Sequence, residues 1–529
     1  MKDLHHTEEG RNNWYFGCSR KNKENDYENN NTQPSYDQEW DSLLGFEEKK
    51  TQNCFTIDDL LSKIGFRFIQ WYAWIALIWW NVGQSMYSYN LPYLELMPEL
   101  LWKVRNQYGQ WTVEKVWSGS SYLHWKIDWH NEMTIHNWLT DTHSLCIGGF
   151  KIGLIGSWYF AGVLVATVLS QLSDYIGRKR FIQIWSFCGI IGVYALYYEE
   201  NLNVRMIFWF VLGMLNSIYF WSYTYLLEIS PKNWRGFTNY LFLLIELAVP
   251  KMIGSLYFYL GGKEWTSLFS ISLVLTPIGF LMILFIPESP SYLINNQKIQ
   301  NAKWELNYMA KANLSKLPPK YEIIDEANNE LKSNGGSKFS YFKSAKTWIM
   351  LVVMIILLSH ANFNLSMWIF FEKYINVNMF FMNILDAVIW TLVIVWTYQM
   401  VKFLDVKAVL IVMLVISIVW ASPFMVNLAE SNYIYLFIGA LGVSACLNSL
   451  SILTYLFISD SFPQIMLPMV IGIANFGSNI AQVLSPEAAE IKAPGPILIF
   501  TVSTSFTLMW MILLRRGNEK ENFWDKKSA

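Results

Sequence analysis

Charge is what this chain has least of. Only 15% of its 529 residues are Asp, Glu, Lys or Arg, against about 25% in a soluble globular domain. With 53% hydrophobic residues in a series of long apolar runs, that deficit excludes a soluble protein and indicates a polytopic membrane protein. A net charge of -1 leaves no basic excess with which to bind nucleic acid. Cysteine is scarce as well: Cys18, Cys54, Cys146, Cys188 and Cys446 have no metal spacing. Only Cys146 is expected near the outer face, so no disulfide framework is expected. Met1–Asn53 is polar and Asn-rich, lacks the apolar core of a cleavable signal peptide, and reads as a disordered cytoplasmic tail. The sequence has no phosphate-binding loop, metal cluster or nucleophile elbow, so nothing points to an enzyme or to a cofactor.

What is present is a regular alternation of apolar runs and short charged loops. The clearest loop is LSDYIGRKR, Leu172–Arg180. It joins two runs long enough to cross a bilayer, so they must be antiparallel neighbours. Arg178, Lys179 and Arg180 assign it to the cytoplasmic side, because short loops rich in Lys and Arg resist translocation. Asp174, one turn before Arg178, is placed to pair with it. FTIDDLLSK, Phe55–Lys63, predicts a short amphipathic helix capped by Thr56. Twelve spans follow from the hydropathy pattern, six before and six after a lysine-rich linker broken at Gly335-Gly336. The expected division is 1–64 cytoplasmic tail with its amphipathic helix, 65–294 first six-helix half, 295–346 linker, 347–514 second half and 515–529 cytoplasmic tail. The first half includes a long outer loop, 91–145. That loop carries six tryptophans among polar residues and reads as a tryptophan-packed cap; its four irregularly spaced histidines make a poor metal set. An all-α membrane protein with twelve transmembrane helices in two halves is the layout of the major facilitator fold.

Four stretches carry a specific resemblance: IDDLLSKIGFRFIQ (Ile57–Gln70), FAGVLVATVLSQLSDYIGRKR (Phe160–Arg180), YTYLLEISPKNWRG (Tyr223–Gly236) and PESPSYLI (Pro287–Ile294). They resemble the organic cation/anion transporter family, solute carrier family 22, within the major facilitator superfamily. The long loop after the first span and the positions of Arg205 and Gly213 fit the same family. The departures lie mostly in the second half. The repeat of the charged loop falls near Thr397–Leu404, where Gln399 replaces the expected Asp and Lys402 the glycine, so the second cytoplasmic latch is lost.

The resemblance implies a carrier of small organic ions in the plasma membrane. It would work as a monomer, by alternating access, on organic cations or zwitterions, with the lipid bilayer as its other partner. Asp386, in the eighth span, falls where the cation-carrying branch has an acidic residue, and ionisable groups within spans are functional candidates by default. Asn479 falls where cation carriers have Asp and anion carriers Arg, with Asn475 one turn earlier. Tyr219 and Tyr223, and Asn362 in the seventh span, match cavity-lining positions. Asp174, Gly177, Arg178, Lys179, Glu228, Arg235 and Glu288 make up the expected cytoplasmic gate, whose charged members exchange partners between states. Glu246 and Lys251 are close enough in sequence to pair, and Lys151 and Lys251 leave an anion as an alternative substrate. His360 reads as a core histidine. The rival from another class is a non-transporting receptor-like or chaperone-like relative.

Overall fold

A computed structural model describes residues 54–105, 111–115, 125–145, 147–215, 218–319, 321–323, 345–375, 377–430, 433–462 and 467–513. The expectations for 1–53, His124, Cys146, Gly335-Gly336 and the C-terminal tail lie outside them, as do the side chains of Tyr219 and Lys402. Helix α1 (Ile57–Ile64) forms where its sequence predicts. Thr56 Oγ1 accepts the Asp59 N–H and the Asp59 carboxylate accepts the Thr56 N–H, both at 3.2 Å. Two donors that a helix start leaves open are thereby satisfied. Leu60, Leu61 and Ile64 are buried against the first half.

The first six spans are α2 (Phe68–Leu94), α3 (Gly149–Leu169), α4 (Arg178–Tyr198), the pair α5 (Leu202–Leu215) and α6 (Ile218–Ile229), α7 (Arg235–Tyr259) and α8 (Trp265–Ile283). Two linker helices follow, α9 (Pro290–Asn295) and α10 (Ile299–Ala312). Pro290 opens α9 and Ser289 caps it, because proline fits the first helical turn but not the interior. The second half is α11 (Ala345–Phe371), α12 (Met379–Phe403), α13 (Val406–Glu430), α14 (Tyr433–Ser461), α15 (Leu467–Val483) with its short continuation α16 (Ser485–Ala489), and α17 (Gly495–Leu513).

Among the described residues, eight helices are individually long and apolar enough to cross a membrane. The remaining spans are α2, the α5–α6 pair, α13 and α15. The α2 sequence carries no Asp, Glu, Lys or Arg, but its tryptophans, tyrosines, asparagines and glutamines lower its mean hydropathy. It is nevertheless the most enclosed element of the first half, lying along α8 and α7. Its buried asparagine N–H groups find acceptors within the bundle: Asn81 donates to Leu77 O (2.8 Å) and Ser222 Oγ (3.0 Å), and Asn90 to Met86 O (2.9 Å) and Pro250 O (3.1 Å). In a bilayer that satisfaction must be internal. The helices α3 and α5 approach so closely that a Cβ on Gly162 would stand 2.1 Å from Phe210 O, and one on Gly213 2.0 Å from Tyr159 O. Between the halves, α7 meets α12 and α3 meets α15. These two contacts exchange when each span is replaced by the one six places away, the mark of a repeated architecture.

The outer loop contributes a three-stranded antiparallel sheet of β2 (Leu100–Arg105), β3 (Trp111–Lys115) and β4 (Trp125–Ile127), in the order β3-β2-β4. On the other side of the protein, β1 (Cys54–Phe55) pairs in parallel with β5 (Glu322–Ile323) of the linker. The cap docks through Trp138, fully buried and edge-on to Trp209 and Trp265 with centroids at 5.9 and 6.3 Å. The Arg205 guanidinium faces the Trp138 and Trp265 rings at 5.6 and 5.2 Å. The side chains of Trp102, Trp111, Trp117 and Trp125 lie outside the described ones.

Candidate functional site

The Leu172–Arg180 loop and the PESPSYLI segment form one structure. Gly177 has φ +110°, and a Cβ there would stand 2.9 Å from Glu288 Oε2. Conformation and space therefore both require glycine. Glu288 Oε1 accepts the Lys179 N–H at 2.9 Å and the Ser289 N–H at 3.1 Å. Glu288 thus caps α4 from a distant part of the chain, and its charge complements the positive helix end. Lys179 takes part through its backbone. Arg178 reaches Asp174 (2.5 Å), Ser173 (2.6 Å) and Glu228 (3.4 Å) and lies over the Trp221 ring at 4.7 Å. Asp174 is largely exposed, whereas Arg178 and Glu228 are not. Beside Glu288, burial lifts the Glu305 carboxyl above the ordinary carboxylate range, with the Glu288 backbone N–H and Lys179 opposing the shift.

Arg235 stands apart from this cluster. It pairs with Asp58 of α1 at 2.5 Å and donates to Leu227 O at 3.1 Å. It therefore ties the N-terminal helix to the turn after α6. Nothing in the order of residues points to a partner so far back along the chain.

The two halves are joined by buried polar contacts in layers. Outermost, Lys373 lies between Glu95 (2.5 Å) and Glu490 (2.7 Å), with all three side chains at most 4% exposed. The Tyr374 hydroxyl donates to Glu490. Below it, Tyr93, Phe258 and Phe380 form an aromatic plug with centroid separations of 5.2, 5.4 and 5.5 Å. Asn383 donates to the Tyr93 hydroxyl, which also bonds Ser255, both at 2.8 Å.

Below the plug, Lys251 of α7 meets Asp386 of α12 at 2.5 Å and stands 3.9 Å from Glu372. Ser444 of α14 donates to the other Asp386 oxygen at 2.5 Å. Lys251 does not pair with Glu246; the Glu246 carboxylate instead accepts from Ser85 at 2.7 Å.

The second half presents a neutral polar wall. Asn362 donates to Ser478 Oγ (3.0 Å), the Tyr455 hydroxyl donates to Asn475 (2.8 Å), and Asn479 donates to Thr167 of the first half (2.7 Å). Tyr223 is half-buried at the edge of the first-half core. His360 is buried and shares a hydrogen bond with Thr504 at 3.0 Å, a satisfied core position. Among the described residues no group of three His, Cys, Asp or Glu is arranged to hold a metal. Sequence reasoning singled out Asp386 but missed Glu372 and Lys373 at the end of the seventh span. The signal available was their charge at the edge of an apolar run.

This fold is that of a major facilitator transporter, a multi-pass membrane protein. A family profile described as "Sugar (and other) transporter" matches residues 124–512, and the chain belongs to that family. It is 23% identical over 392 residues to human organic cation/carnitine transporter 2, covering 71% of this chain and 68% of that protein. It is likewise 23% identical over 402 residues to mouse solute carrier family 22 member 4, covering 73% and 70%. Its fold is similar to that of the xylose transporter from E. coli in a partially occluded inward-open conformation. The TM-score is 0.58 at 12% identity, over 85% of this chain and 99% of that one.

Proposed function

We propose that this chain carries small organic cations or zwitterions across the membrane by alternating access. The observation that carries the reading is the buried carboxylate Asp386 on α12, at the line where the two halves meet. A carboxylate in a low-dielectric cavity attracts an organic cation strongly, and aromatic neighbours add cation–π attraction. The wall of Asn362, Asn475 and Asn479 adds hydrogen-bonding groups without a basic residue, which suits a zwitterion or a neutral group better than an anion. Two similar proteins are named for organic cations and carnitine or belong to solute carrier family 22, which supports the same substrate class. The outer layers, from Lys373 to the aromatic plug, act as the gate that opens when the halves rock apart. Asp174, Gly177, Arg178, Glu228 and Glu288 form the cytoplasmic latch.

One observation favours a non-transporting relative instead: Gln399, at the place of the second latch, is exposed. Uptake of a panel of labelled cations, zwitterions and anions by cells expressing the chain separates the two. Flux of a cation or zwitterion above that of untransfected cells supports transport. No flux across the panel, with the protein at the surface, favours the rival.

A further inference from the structure

The cluster around Lys251 holds more carboxyl groups than ammonium groups. Lys251, Asp386 and Glu372 have side chains 14%, 6% and 2% exposed, and together they carry one ammonium and two carboxylates. Asp386 is fully engaged, by Lys251 and by Ser444. Glu372 is not: its buried Oε2 has no hydrogen-bond partner, and the Lys251 ammonium is 3.9 Å away. A buried carboxylate without a close counter-ion is costly. The lysine therefore has two carboxylates within reach and closely contacts only one.

We propose that Lys251 is a tethered rival of the substrate's cationic group: it sits on Asp386 when the site is empty and moves to Glu372 when a substrate ammonium takes its place. The idea deepens the cation-carrier reading and rests on it. With the site empty, the one ammonium is seated on Asp386 and Glu372 lacks a close counter-ion. A bound monovalent cation gives each carboxylate its own positive partner. A bound anion would add negative charge to a buried site that already holds two carboxyl groups and one ammonium. Selection for cations thus follows from the charge count of the cluster, although a lysine lies at its centre. Because Lys251 stands on the first half and both carboxylates on the second, its move from one carboxylate to the other also reports occupancy across the line on which the halves separate.

The test is uptake of labelled tetraethylammonium by the full-length chain in cells, normalised to surface protein, for three variants. Glu372→Gln removes the alternative seat and leaves one ammonium on one carboxylate. Its uptake efficiency is expected to fall at least tenfold. Lys251→Met removes the rival and is expected to lower KM or leave it unchanged. The double variant has one free carboxylate and no rival, and is expected to recover to within threefold of the parent. If the cluster were merely structural, the double variant would do no better than Glu372→Gln; that result overturns the proposal.

Should Lys251→Met fail to reach the surface, Lys251→Gln takes its place in the same comparison. Uptake by the Lys251→Gln, Glu372→Gln double variant within threefold of the parent supports the proposal, and uptake no better than that of Glu372→Gln overturns it. Absence of uptake by the parent chain, for this and every other cation, overturns the carrier reading itself and this inference with it.

Discussion

Lys373 stands 2.5 Å from Glu95, and both side chains are almost completely buried. The residues are 278 positions apart, one closing the seventh span and the other ending the first. Glu490 completes the group from the segment after the eleventh span. The next residue back from Lys373 is Glu372, which faces Lys251. Two consecutive side chains of the second half thus face charged residues from two different parts of the first.

Removing the Lys373 ammonium leaves Glu95 and Glu490 facing each other without a cation. Breaking a buried pair in this way costs about 3–5 kcal/mol, and here the cost falls on the outer-closed state. Lys373→Met is therefore expected to open the outer side. The check is a cysteine at Ser255, which is fully buried beneath Tyr93. Its labelling by an impermeant maleimide added outside the cell should be at least tenfold faster in Lys373→Met than in the Ser255→Cys parent. Equal rates would mean that this ion cluster does not hold the gate.

On the inner side the weight falls on Arg178 and Glu288, not on Asp174. Asp174 is a largely exposed carboxylate, and exposed ion pairs contribute little. Arg178 instead neutralises the poorly exposed Glu228, and Glu288 caps α4. Arg178→Ala and Gly177→Ala should each lower the thermal unfolding midpoint of detergent-purified protein by several degrees. Asp174→Asn should leave it nearly unchanged, and so should Gln399→Ala. A drop for Asp174→Asn matching that of Arg178→Ala would refute this ranking.

The linker is fastened to the first span through Asn313. Its Oδ1 accepts the Ile69 N–H at 2.9 Å, and its Nδ2 donates to Gln70 at 2.8 Å and to Gly65 O at 3.2 Å. It acts as an N-cap supplied from a residue far along the chain. Losing a cap costs about 1 kcal/mol, and the buried Gln70 oxygen would lose a donor as well. Asn313→Ala should destabilise the protein by roughly 1–2 kcal/mol in denaturant unfolding and speed proteolysis within the linker. An unchanged proteolysis rate would mean that the linker is held elsewhere.

Much of this was legible in the sequence, for reasons that can be named. Apolar runs of bilayer length gave the spans, since the bilayer sets helix length directly. Thr56 marked a helix start, because capping is local. Long-range partners were not. The sequence reading names Asp386 and Lys251 without joining them and is silent on Glu372; the three meet only through the packing of α7, α11 and α12. Arg235 reads as part of the latch beside Glu228 in sequence, yet folding gives it Asp58. The reach of a charged side chain depends on which helices become neighbours, and periodicity within one helix carries no record of that.

The central claim is that Asp386 holds the cationic part of the substrate. The most direct measurement is uptake of labelled tetraethylammonium and L-carnitine by Asp386→Asn, per surface copy, beside the parent chain. The substitution keeps the side chain's size and removes its charge. Uptake efficiency should fall at least tenfold, mainly through a higher KM, with surface expression retained. Unchanged KM and kcat for both compounds would contradict the account.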